Sequence, residues 1–275
     1  MKGRLLLITA AVLWSLSGVL IKSLTLPPTV IAFYRSLFAA FAFMPFLKGR
    51  TTPLSRWYLL SVPAYTGTVT LLVVATKMTS AANAIILQYT APLYVFALSL
   101  VFLGERPGKR GIAALIVGMA GIAVIFVGRS GGGDTVGILL GALSGFCFGA
   151  LIVLLRKIRE SDALFTTFVN SLGSAFILLP FVINNLQITG TQAFVLIGMG
   201  SVQLSLPYFL YTKGLQTITS QEAAILTLIE PLLNPVWVAL IVGEVPSTPT
   251  IIGGLLIIGG LAVRYAPFKI PVEGT

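Results

Sequence analysis

Ten stretches of mainly apolar residues follow one another along this chain, separated by short polar or Gly/Pro-rich breaks. They run approximately over 4–24, 29–47, 56–76, 82–103, 110–128, 135–156, 163–183, 190–212, 220–242 and 249–267. An α-helix needs about 20 such residues to cross the hydrocarbon core of a bilayer. Within lipid, only helices and closed barrels satisfy their own backbone hydrogen bonds. The pattern therefore predicts an all-α integral membrane protein with ten transmembrane helices. Composition agrees, since 56% of residues are hydrophobic and 9% charged, against about 25% charged in a soluble domain.

The breaks carry loop chemistry: Pro27-Pro28, Lys48-Gly49-Arg50, Gly104-Glu105-Arg106-Pro107, Ser130-Gly131-Gly132-Gly133, Asn184-Asn185 and Gly243-Glu244-Val245-Pro246. Pro63 and several threonines interrupt the third run. The first run, behind Lys2 and Arg4, has no small-residue cleavage pattern after it, and nine more apolar runs follow. It reads as a spanning helix, not a signal peptide.

The formal net charge is +10, but the basic residues sit in short clusters between apolar runs. That distribution speaks against a nucleic-acid partner and for the cytoplasmic bias of Lys and Arg in membrane proteins. Fourteen of the eighteen fall on the N-terminal side, among them Lys48, Arg50, Arg106, Arg110, Arg156, Lys157 and Lys213. Only Lys22, Lys77 and Arg129 fall on the opposite side, and Arg35 lies inside the second run. Both termini are thereby expected in the cytoplasm of a multi-pass protein of a bacterial-type inner membrane, which requires an even number of spans. No loop exceeds about ten residues, and the glycine-rich stretch from Gly128 to Thr135 lacks the GK[ST] ending of a phosphate-binding loop. ATP-driven transport by this chain alone is not expected. With no histidine and one cysteine, Cys147, no metal, cofactor or internal disulfide is expected either.

The chain also repeats itself at an offset of 139 residues. Ala84, Ile86, Leu87, Pro92, Leu93, Gly104, Glu105 and Pro107 match Ala223, Ile225, Leu226, Pro231, Leu232, Gly243, Glu244 and Pro246. Earlier runs align at slightly different offsets, with Arg35 on Asn170 and Gly18 on Gly149. Five spans per half is an odd number, so the second half is expected upside down relative to the first. Inverted repeats around a midplane site are characteristic of secondary transporters.

The segments Ala81 to Leu87 through Pro92 to Gly104-Glu105-Arg106-Pro107, and Ser220 through Pro231 to Gly243-Glu244, resemble the paired signature of the drug/metabolite transporter superfamily. Phe33-Tyr34-Arg35 resembles its second-helix pattern. The nearest group is the EamA-type ten-helix exporters. The resemblance implies residues 1–130 and 134–270 as first and second (inverted) EamA-like five-helix repeats, a tail over 271–275, and a central cavity operated by alternating access. It also implies export of small metabolites, foremost amino acids, with cationic drugs or other metabolites as the alternative. A channel or a structural membrane protein is the rival of a different class. An intramembrane enzyme is disfavoured by the absence of histidine and of paired deep carboxylates.

Ionisable groups within a bilayer are functional candidates by default. Glu230 is the one carboxylate in the middle of a run, suited to a substrate ammonium or a coupling proton. Pro231 and Pro235 each remove a backbone N–H beside it, and Pro92 is their counterpart in the first half. Arg35 lies about six residues into the second run, in its outer half, and either snorkels to the external interface, braces a helix end or meets the substrate. Lys213 or Lys77 would complement Glu230 if either turned inward. Trp14, Tyr89, Tyr94, Tyr208, Tyr211 and Trp237 supply candidate apolar walls, and Gln88 and Asn234 candidate polar contacts. The glycines Gly141, Gly145 and Gly149 predict close helix packing. Partners are then the lipid bilayer and a small-molecule substrate, with the protein a monomer or a homodimer.

Overall fold

A computed structural model of the chain describes residues 2–49, 55–91, 93–95, 98, 109–128, 132–158, 161–215 and 226–265. Among these the regular structure is entirely helical. We number the helices α1 (Lys2–Ser15), α2 (Ser17–Ser23), α3 (Pro28–Phe43), α4 (Arg56–Met78), α5 (Ala81–Gln88) and α6 (Lys109–Val127). They continue as α7 (Gly132–Lys157), α8 (Ala163–Val182), α9 (Gly190–Gly198), α10 (Leu206–Leu215), α11 (Ile229–Val242) and α12 (Thr248–Tyr265). A π-helical stretch, Met199–Ser205, joins α9 to α10.

Six helical segments are long and apolar enough to cross a membrane: Lys2–Ser23, Pro28–Phe46, Arg56–Met78, Asp134–Leu155, Ala163–Asn185 and Gly190–Tyr211. Shorter apolar helices lie at Ile116–Val127, Ile229–Val242 and Thr248–Gly260. Of the 82–103 run, only residues to 91, 93–95 and 98 are described; Pro92, Glu105 and Glu222 lie outside the described residues.

Helix starts follow from local chemistry. Ser55, Ser80 and Asp162 cap α4, α5 and α8 by accepting the N–H of Tyr58, Asn83 and Phe165 at 3.3, 3.0 and 2.9 Å. Thr189 and Gln192 form a reciprocal capping box at α9. At the other end of a helix, Gly243 closes α11 with φ +79°, a left-handed turn that glycine adopts without a Cβ penalty. Pro63 is accommodated inside α4, which runs unbroken to Met78.

The distribution of polarity is reversed relative to a water-soluble bundle. Phe181, Phe194 and Leu240 are 72%, 79% and 73% exposed, whereas Ser36, Ser144, Asn170, Ser171 and Asn234 are buried. A hydrocarbon solvent accounts for both facts: it receives the aromatic and aliphatic faces and leaves polar groups to pair with one another inside.

The dominant helix pairs are α4 with α7, α6 with α12, α3 with α8, α1 with α10, α5 with α7, and α1 and α2 with α11. Each of these pairs takes one partner from before residue 130 and one from after it. Glycine permits the closest approaches. A Cβ at Gly145 would lie 2.6 Å from Thr90 Oγ1 and 2.7 Å from the Leu87 carbonyl, so α7 passes the end of α5 nearly backbone to backbone.

Candidate functional site

Three irregularities in the helices face one another inside the bundle. The first apolar segment breaks at Leu16, between α1 and α2, putting Trp14, Ser15 and Ser17 at the interruption. The fourth loses helical form at Tyr89 and Thr90. Segment nine breaks at Leu228, so Glu230 and Pro231 stand in the first turn of α11. The helix resumes at Ile229 after a single-residue turn, and Pro231, with no N–H, leaves the Thr227 carbonyl four residues back without a helical donor; the Tyr89 hydroxyl lies 3.1 Å from it. Pro235 does lie within α11. The π-helical stretch Met199–Ser205 is a fourth departure. Its wider turn lets the Ser205 hydroxyl donate to the carbonyls of Gly200 and, across the interface, Ala39, at 2.9 and 3.0 Å.

Arg35 and Glu230 are brought to this region from opposite ends of the sequence. Arg35, from α3, is 4% exposed, and its Nε and Nη1 have no hydrogen-bond partner among the described residues. Tyr65, Tyr208 and, most weakly, Glu230 are the ionisable groups in its surroundings. The Arg35 side chain is thus packed inside the bundle and not on its outer surface. Glu230 is 8% exposed, and its Oε2 accepts a 2.6 Å hydrogen bond from the Tyr89 hydroxyl, which also lies 3.1 Å from the Thr227 carbonyl.

Aromatic rings line the same region. Trp14 meets Tyr208 edge-on at 5.2 Å and Tyr211 at 5.5 Å between ring centroids. Tyr65 lies 6.4 Å from Tyr208, and its hydroxyl pairs with Ser171 at 3.2 Å. Further along α11, Asn234 Nδ2 donates to the Ser15 carbonyl and the Ser17 hydroxyl at 2.9 and 3.2 Å, leaving its Oδ1 unpaired among the described residues. Trp237 Nε1 donates to Ser15 Oγ at 2.9 Å. A guanidinium with unused donors, a carboxylate and several ring faces are the elements that hold a small molecule of mixed charge.

Other sequence candidates are elsewhere. Lys213 is exposed, with Nζ 5.2 Å from the Phe209 ring, and so does not complement Glu230. Lys77 donates to the Leu24 carbonyl at a helix end. Gln88 is buried but committed to Ser144 Oγ at 2.9 Å and the Thr68 carbonyl at 3.4 Å, within the α4–α5–α7 packing. Tyr94 packs edge-on to Phe146 at 5.6 Å. Arg35 and Glu230 are both buried, so the expected central cavity is not open at that pair. A concavity of about 470 Å³ lies instead between α6 and α12, lined by residues such as Val124, Val127 and Ile252 and by none of the candidates.

Sequence reading missed Tyr65, Ser15 and Ser171. The signal available for Tyr65 was its place two residues after Pro63 in a threonine-rich span; Ser15 and Ser171 carried none.

Comparison with known proteins gives a consistent picture. The model of the EamA-like transporter family matches residues 1–127 and 135–265. An uncharacterized transporter of Archaeoglobus fulgidus is 30% identical over 272 residues, covering 96% of both chains. The pseudopaline exporter CntI of Pseudomonas aeruginosa is 27% identical over 93% of each chain. A protein of Salmonella typhimurium named as a probable amino-acid metabolite efflux pump is 24% identical, over 98% of this chain and 96% of its own. One crystal structure shares the fold with a TM-score of 0.72 over 100% of this chain and 99% of the other, at 19% identity.

Proposed function

This chain belongs to the EamA-like transporter family, and from that premise we propose that it is a secondary active transporter exporting small zwitterionic metabolites, foremost amino acids, by alternating access. The observation that carries the reading is Arg35: a buried guanidinium whose Nε and Nη1 have no partner among the described residues, in a bundle interior that also holds the buried Glu230 carboxylate and a set of aromatic rings. A charged group inside a bilayer protein costs several kcal/mol unless compensated. Retaining one with spare donors is intelligible if a ligand carboxylate completes it. Glu230 then meets the substrate ammonium or carries the coupling proton, and Trp14, Tyr208 and Tyr211 enclose the rest. The relatives named as exporters support outward flux.

Alternating access asks for two halves, here 1–130 and 134–270 as inverted five-helix repeats of a ten-helix protein, with both termini cytoplasmic. The helix contacts support that reading. If the spans of one half are paired in order with those of the other, α1 against α10 corresponds to α7 against α4, and α1–α2 against α11 corresponds to α7 against α5. All four contacts are present, and α3–α8 and α6–α12 map onto themselves. The helix breaks at Tyr89 and Leu228 differ by 139 residues, which is the repeat offset. A Cβ at Gly18 would strike Asn234, and one at its counterpart Gly149 would crowd Val95, the counterpart of Asn234.

The test is uptake of labelled amino acids by purified protein in liposomes under an imposed gradient. Flux that saturates, and falls when Glu230 is replaced by Gln, is the expected result. A folded protein giving no flux across a broad panel of zwitterions and cations would overturn the proposal.

A further inference from the structure

Away from the Arg35–Glu230 region, at the side of the bundle opposite the N-terminus, a second polar cluster joins the two halves of the sequence. Glu244, carried just past the Gly243 turn that ends α11, is held by two donors from the first half. Its Oε2 pairs with Lys22 Nζ at 2.7 Å, and its Oε1 accepts the Ala81 N–H, at the start of α5, at 2.6 Å. Lys22 Nζ also donates to the Thr79 carbonyl at 3.0 Å. The Thr79 hydroxyl bonds to Asp134 at the start of α7, and the Thr250 hydroxyl of α12 donates to Asn83 Oδ1 at 2.7 Å. Every contact to Glu244, Asp134 and Thr250 in this set crosses between the halves.

Directly beneath lies an apolar layer, Val19 and Ala81 from the first half packed with Val238 and Trp237 from the second. Beneath that, Asn234 and Ser15 lead to the site. From Glu230 to Val242, α11 spans roughly 18 Å at 1.5 Å per residue. A solute leaving the site on this side has to part α1–α2 and α5 from α11 and α12. Doing so separates both partners of Glu244.

We propose that Glu244 is the latch of a gate on this face, holding it shut through Lys22 and the first N–H of α5. The proposal rests on the alternating-access reading above. The chemistry suits a reversible closure. The carboxylate is matched to a lysine and to the positive end of a helix, so the closed state is favoured by charge-assisted bonds. The side chains of Lys22 and Glu244 are 18% and 26% exposed, so water can take over each partner as the faces part. A fully buried pair would offer no such exchange. The apolar layer provides the seal and the ionic contact the fastening.

The test reads exposure, not flux, so it is informative even if no transported substrate has been found. In a Cys147→Ser background, single cysteines are placed at Val19, under the latch, and at Leu7, fully buried on α1 toward the N-terminal face. Each is reacted with a membrane-impermeant maleimide applied to its own side of reconstituted vesicles. Glu244→Gln and Lys22→Gln should each speed labelling at Val19 by about tenfold, the scale of losing one charge-assisted bond, with labelling at Leu7 unchanged or slower. Unfolding would instead raise labelling at both positions, and that result counts against the latch. Unchanged labelling at Val19 in both variants would overturn it outright.

Discussion

Replacing Arg35 by Met should separate stability from function. Methionine keeps the length of the side chain but carries no charge, and it fills irregular space readily. In the native protein the Arg35 Nε and Nη1 make no hydrogen bond among the described residues, so their removal breaks none there. Centring an arginine in a membrane helix costs about 2.5–3.5 kcal/mol on insertion scales. The Arg35→Met variant should therefore unfold no more easily than wild type. Arg35→Met combined with Glu230→Gln, which removes both charges, should be at least as stable. Substrate binding responds in the opposite direction. A charge-assisted contact to a carboxylate contributes about 1.5–3 kcal/mol, so Arg35→Met should raise the KM for an amino acid roughly 10- to 150-fold. Thermal unfolding in detergent, with and without substrate, and flux in liposomes measure the two effects. Loss of stability with an unchanged KM would refute the reasoning and make Arg35 a structural brace.

Three further outcomes follow from the same geometry. Tyr89→Phe removes the 2.6 Å donor to Glu230 and should lower stability by about 1.5–3 kcal/mol, read by chemical or thermal unfolding, with a shift in the apparent substrate affinity. Lys213→Gln should leave KM within about twofold of wild type, because the side chain faces outward; at 1.4 kcal/mol per tenfold any lost contact to substrate would exceed that. Gly145→Ala places a methyl 2.6 Å from Thr90 Oγ1 and 2.7 Å from a backbone carbonyl. It should destabilise by about 1–3 kcal/mol, measurable as a lower melting temperature.

Much of the architecture was legible because the bilayer imposes a length and a polarity on each segment. Apolar runs, proline and glycine breaks and the side bias of lysine and arginine all follow from that one constraint. The sequence repeat rests on Pro, Gly-Glu and Pro positions 139 residues apart that composition alone does not reproduce. Within the candidate site, Glu230, Tyr89, Trp14, Tyr208 and Trp237 stood out as polar or aromatic groups deep in spans. What the sequence could not convey was direction. Lys213 follows an apolar run as a topology anchor would and as an inward ligand would; only the rotation of α10 decides. The break at Leu16 has no proline or side-chain cap to announce it, and nothing local announces the π-helical stretch from which Ser205 reaches across to Ala39. The sequence places Lys22 on the face opposite the N-terminus, yet its pairing with Glu244 depends on α2 lying against α11, a contact between residues 222 positions apart in the chain.

The measurement that addresses the central claim most directly is counterflow. Vesicles loaded with a high concentration of unlabelled amino acid are diluted into a trace of the labelled form, and internal label is followed in time. A carrier that exposes one site alternately to each face predicts transient accumulation of label above the external concentration, lost in Glu230→Gln and Arg35→Met. Label that rises only to equilibrium, at a rate linear in concentration, would contradict alternating access and identify an open pathway.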